Sequence, residues 1–202
     1  MHPTLGAVDV AALIPLAFVA SITPGPNNLM LLASGMNHGA RRSLPHLAGV
    51  SLGFAFLLFA VALGLGSVFE RVTVVEVALT VTGSAYLLVL AWRIFTTETV
   101  TAAEGTARPL TFVEAAAFQW VNPKAWVMGT TATSTLLDTD APVVVAAAAL
   151  AAAFWAVNLP CIATWLFSGV TAARWVDDPV RLRRLNRFLG VLLALTVVLL
   201  VS

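Results

Sequence analysis

The chain has 202 residues, 59% of them hydrophobic and only 10% charged, with a mean hydropathy of +0.92. A soluble domain of this size carries about a quarter charged residues, so a water-soluble globule is excluded. The net charge of +1 and the lack of a suitable basic patch exclude nucleic acid as a partner, and the single cysteine, Cys161, excludes an intramolecular disulfide or a cysteine-based metal cluster.

Five uncharged runs, 10–40, 43–69, 77–92, 141–173 and 188–202, account for the composition. They predict six helices near 10–35, 44–67, 74–95, 112–136, 143–169 and 186–202, most long enough to cross a hydrocarbon core of about 30 Å. Barrel strands would alternate polar and apolar residues, and Val143–Phe154 does not. The expected fold class is therefore all-α, a polytopic membrane protein with six transmembrane helices.

The first predicted helix has no basic region before it and is too long for a signal-peptide core, so it reads as a retained span. Thr23-Pro24-Gly25-Pro26-Asn27 interrupts it. Pro24 and Pro26 lack an N–H, and each pushes the residue before it out of α geometry. The expected outcome is a half-helix ending near Ile22 and a second beginning near Pro26. Asn27 and Asn28 then stand in its opening turn, where free N–H groups favour an anion. Loop 36–43 carries Arg41 and Arg42, and the flanking His38 and His46 read as solvent or headgroup contacts. Gly49 and Gly53 permit close helix approach.

The third predicted helix begins beside Glu76 and ends at Trp92 and Arg93, followed by a loop with Arg108. The fourth opens beside Glu114 and is interrupted at Asn122-Pro123-Lys124, after Gln119 and Trp120 and before Trp126. Asn122 suits an N-cap and Pro123 the first helical position. Lys124, the only lysine, lies about 15 Å along this helix, too deep to reach water easily, so it should face a cavity or a partner. The fifth helix contains Asn158 and a kink at Pro160. Loop 170–187 follows with five arginines, Trp175 and Asp177-Asp178-Pro179, and the last helix is marginal in length.

Nine of the ten arginines fall in three alternate loops, against Arg71 opposite, with Asp9, Asp138 and Asp140 on its side. Basic loops stay inside, which places both termini outside and the three basic loops in the cytoplasm beside anionic lipid. Pro24 and Pro123 occupy matching places in two three-helix halves of opposite orientation, about 1–100 and 105–202, within one transporter domain spanning 1–202. Such paired interruptions point to the binding site of an inverted-repeat transporter.

SITPGPNNLMLLASGMNHGARRSLPHLAGVSLGF at 21–54 and FQWVNPKAW at 118–126 resemble the two signatures of the LysE/RhtB amino-acid exporters, and the likeness continues through DDPVRLRRLNRF to the last helix. The resemblance implies an exporter of amino acids or related metabolites in the bacterial inner membrane, driven by proton exchange and needing no cofactor. On that basis Thr23, Pro24, Gly25, Pro26, Asn27, Asn28, Asn122, Pro123 and Lys124 are the expected substrate-binding residues. Lys124 and the two half-helix N-termini would take a carboxylate, while Thr23 and nearby carbonyls would take an ammonium. Gln119, Trp120, Trp126 and Asn158 are candidates to line the site, and Lys124, Glu114 and Glu76 to carry the proton. The alternative is a cation or other small-ion exporter of the same superfamily. An enzyme is not expected, because no catalytic or metal constellation falls at membrane depth; a homo-oligomer stays among the options for assembly.

Overall fold

The computed structural model describes residues 10–67, 72–97, 108–136, 141–175 and 178–201. Expectations placed on Asp9, Arg71, Asp138, Asp140, Asp177 and the chain termini lie outside the described residues. In chain order the helices are α1 (Val10–Ile22), α2 (Pro26–Ala60) with a π-helical continuation over Val61–Leu65, α3 (Thr73–Phe95), α4 (Phe112–Phe118) with a 3-10 turn over Gln119–Val121, α5 (Pro123–Leu136), α6 (Val143–Arg174) and α7 (Pro179–Val201). No strand occurs among the described residues. Among the described residues, three stretches are long and apolar enough to cross a membrane: Pro26–Leu65, Thr73–Phe95 and Val143–Arg174.

Both interruptions fall where proline chemistry places them. α1 ends at Ile22 and α2 starts at Pro26; the 3-10 turn ends at Val121 and α5 starts at Pro123. Asn122 between them is extended, with φ −90° and ψ 105°.

α2 is not one rod. Ser34 Oγ and Ser43 Oγ are hydrogen-bonded at 2.8 Å, whereas nine residues of straight helix would separate them by about 13.5 Å. The chain doubles back at Gly39, whose φ of 75° lies in the region that favours glycine. The turn is thus shorter than the loop predicted over 36–43. α7 also departs from expectation: it begins at Pro179, so VRLRRLNRF is helical rather than loop. Asp178 explains this, since its Oδ1 accepts from Val180 N at 2.9 Å as an N-terminal cap.

Close backbone contacts hold the bundle together. A Cβ on Gly35 would land on Leu166 O, and one on Gly169 on Leu32 O, so α2 and α6 touch main chain to main chain. Gly83 on α3 abuts Val121 O in the same way, seating the second interruption against that helix. Polarity is inverted relative to a soluble protein. Asn28, Asn37, His46, Gln119, Asn122, Asn158 and Asn186 are buried, while Phe56, Val74, Val81, Val113, Phe188 and Val198 are exposed. An outer surface of that kind suits lipid rather than water.

Candidate functional site

The two interruptions meet inside the bundle. The end of α1 exposes carbonyl oxygens that no following turn can satisfy, and each is met by a side chain from elsewhere. Asn28 Nδ2 donates to Ser21 O (2.9 Å) and Thr23 O (2.8 Å), and Trp165 Nε1 donates to Ile22 O (3.1 Å). Lys124 Nζ donates to Thr23 O (3.1 Å), Thr23 Oγ1 (3.0 Å) and Pro24 O (3.3 Å). An ammonium has three hydrogens, and all three point at the negative end of the α1 dipole. Gly25 makes this possible: a Cβ there would fall 3.0 Å from both Cδ and Nζ of Lys124.

The first turn of α2 opposes that end. Pro26 occupies its first position, and no side chain caps it. Asn27 and Gln119 exchange amides across the two interruptions, Asn27 Nδ2 to Gln119 Oε1 at 2.8 Å and Gln119 Nε2 to Asn27 Oδ1 at 3.1 Å. Trp126 Nε1 donates to Trp120 O at 2.9 Å, closing the second interruption over itself.

Between these ends lies a cavity of about 30 Å³, room for a few water-sized molecules. Gly25, Pro26, Asn27, Asn28, Asn122, Lys124 and Asn158 form its polar wall; Ala20, Val50, Phe54, Ala125, Met128 and Ile162 form its apolar wall, with Ser21 beside them. Two buried amide oxygens of that wall, Asn122 Oδ1 and Asn158 Oδ1, have no hydrogen-bond partner in the protein. Asn158 Nδ2 is anchored on Ser21 Oγ at 2.9 Å, which fixes that amide. An orphaned acceptor in a buried wall is an unmet demand for a donor.

Other predicted residues stand around the cavity or apart from it. The Asn122 side-chain oxygen does not cap α5, because it is unpartnered. Thr23 and Pro24 act on Lys124 through their oxygens rather than lining the cavity, and Pro123 only opens α5. Gln119 supports Asn27 from behind; Trp120 and Trp126 do not line the cavity. Glu114 is far from free: it pairs with Arg108 at 2.6 Å and completes a capping box with Thr111. That bond raises the Arg108 pKa from its ordinary value. Glu76 is exposed in the first turn of α3. His46, expected at the surface, is buried. Ser21, at the edge of the first signature, and Trp165, outside both, carry no local signal for these bonds; only the packing of α6 against α1 reveals them.

An apolar helical envelope around a small polar cavity, built from two helix interruptions, defines a membrane transport protein. The chain belongs to the LysE type translocator family, which it matches over residues 18–202. It is 36% identical over 137 residues to a cysteine/O-acetylserine efflux protein of Klebsiella pneumoniae subsp. pneumoniae, covering 68% of this chain and 67% of the relative. It is also 37% identical over 141 residues to the proteins of the same name in Escherichia coli (strain K12) and Shigella sonnei, covering 68% of each chain. No solved structure matches the chain.

Proposed function

We propose that this protein is a secondary active exporter of amino acids or related small metabolites across the bacterial inner membrane, working by alternating access in exchange for protons. The observation that carries the reading is the cavity wall, which holds one ammonium and two unpartnered amide oxygens. A zwitterion supplies what each of these needs. Its carboxylate pairs with Lys124 and the uncapped start of α2; its ammonium has three hydrogens, one each for Asn122 Oδ1, Asn158 Oδ1 and Pro24 O. The efflux relatives support an amino-acid cargo.

In the contracted state described above, Lys124 occupies the carbonyl end of α1 where a substrate ammonium would bind. Substrate entry therefore exchanges one ammonium for another: Lys124 swings from Thr23 and Pro24 to the incoming carboxylate, and the substrate takes over Pro24 O. Thr23 O keeps its bond from Asn28 Nδ2, so neither carbonyl is left unsatisfied, which keeps the cost of the exchange low. The positive wall also disfavours a metal cation as cargo.

The reading assigns six spans in two inverted halves. In this reading the reversal at Gly39 divides Pro26–Leu65 between two spans: its first part completes the interrupted span that α1 begins, as α5 completes that of α4, and its second part crosses alone. The basic residues Arg41, Arg42, Arg93, Arg108 and those of 174–187 face the cytoplasm, and both termini face outward.

The test is counterflow in proteoliposomes with a panel of amino acids. The protein should exchange at least one of them, and Lys124→Ala should lose exchange by about a hundredfold or more while remaining folded. Full exchange by Lys124→Ala would refute the reading.

A further inference from the structure

Substrate handling as proposed leaves a buried histidine without a task. His46 is 2% exposed, and neither Nδ1 nor Nε2 has a hydrogen-bond partner in the protein. A neutral imidazole carries one donor and one acceptor, and an imidazolium carries two donors. Orphaned polar atoms are rare in native interiors, and here both ends of one ring are orphaned.

The position is as telling as the burial. His46 lies on α2 after the Gly39 reversal, one turn before Val50 and two turns before Phe54, both of which line the cavity. In the other direction, one turn back, Ser43 bonds Ser34 beside the reversal. Residues at these spacings share a helix face, so the ring stands between the cavity and the turn bearing Arg41 and Arg42. α4 seals this face: Gly49 admits Phe112 O and the Ala115 side chain, and Gly53 abuts Ala116.

Among the described residues, the charges around the ring are few. From α4 comes Glu114, already engaged by Arg108 and Thr111; from α2 itself comes His38, which feels Arg42. α6 contributes none before Arg174.

We propose that His46 carries the coupled proton and that, while the cavity is empty, its charge sets whether the seam between α4 and the second part of α2 is closed; bound substrate opens the same seam without it. The inference rests on the export reading above and its orientation. With the cavity empty and the ring neutral the seam is shut. After substrate leaves outward, a proton from the external solution passes through the emptied cavity, past Val50, onto a ring nitrogen. The imidazolium then holds a charge with no free carboxylate and no acceptor, a state that demands water. The seam parts at the Arg41–Arg42 end, the proton leaves to cytoplasmic water, and the next substrate enters. Neutral again, the ring lets the seam close behind it. One proton moves in for each substrate moved out.

Two assays on the full chain in proteoliposomes separate the alternatives. Counterflow at equal pH needs only the loaded carrier to reorient, whereas transport driven by a pH gradient needs the proton step. His46→Asn should retain counterflow within about twofold and lose gradient-driven transport by about tenfold or more. Gradient-driven transport at the wild-type rate in His46→Asn overturns the inference, as does equal loss of both activities. A second measurement avoids altering the ring. In the His2→Gln, His38→Gln protein, His46 is the remaining histidine, and its 15N spectrum at fixed pH should shift between charged and neutral forms when saturating amino acid is added. An unchanged spectrum overturns the inference. Wild-type counterflow with no response to a pH gradient defeats the coupling alone; no wild-type counterflow with any amino acid defeats the export reading and this inference with it.

Discussion

Lys124 gives all three of its ammonium hydrogens to the end of α1, although its partners there, Thr23 and Pro24, lie about a hundred residues earlier in the chain. Proline chemistry creates the exposed carbonyls, and Gly25 leaves the space for the side chain to reach them. Asn158 is the complementary case, with its nitrogen fixed on Ser21 and its oxygen left to the cavity. Asn158→Leu removes that acceptor at similar volume. A hydrogen bond to a charged group contributes about 1.5–3 kcal/mol, so the counterflow KM should rise roughly 10- to 100-fold. An unchanged KM would show that the amide oxygen meets no substrate ammonium. Of these residues, Lys124 and the asparagines beside the prolines were legible in the sequence, since a lone lysine at depth and asparagines at helix starts are local signals. Ser21 and Trp165 were not, because their roles exist only after α1 and α6 have packed.

At the scale of elements, the interruptions were readable because they follow from backbone chemistry alone. The start of α7 was misread for the opposite reason. Four arginines over 181–187 lower the hydropathy and suggest a loop, yet Asp178-Pro179 is a helix-start signal, and Leu182 and Asn186 are buried. His46 was misread because distance from a predicted span end says nothing about α4 lying over it. The second interruption depends on a neighbour that no local pattern predicts: Gly83 lets α3 press on Val121 O. Gly83→Ala places a methyl group against that carbonyl, and overpacking of this kind costs about 1–3 kcal/mol. The thermal midpoint in detergent should fall, and counterflow should fall with it as the seat of Asn122 and Lys124 shifts. Wild-type stability and transport together would mean that the α3 contact does not position the interruption.

At the scale of the whole molecule, two reciprocal amide pairs bracket the structure. Asn27–Gln119 joins the two interruptions, and Asn37–Asn186, with Asn186 Nδ2 on Thr97 O at 3.1 Å, ties the first part of α2 to α7 and the end of α3. Such side-chain bonds can be exchanged for water one at a time, unlike the glycine contacts between α2 and α6, which form the rigid seam. The architecture thus combines fixed helix pairs with exchangeable polar clasps around a cavity too small, in this state, for an amino acid. Opening on one side and then the other follows if the clasps alternate.

Thiol accessibility tests that claim most directly. Met128 lines the cavity; Met128→Cys in a Cys161→Ser chain, first checked for counterflow, is exposed to a small charged thiol reagent from either face of oriented vesicles. The account predicts labelling from both faces and protection by transported amino acid. Labelling from one face only, or from both with no protection by substrate, would contradict it.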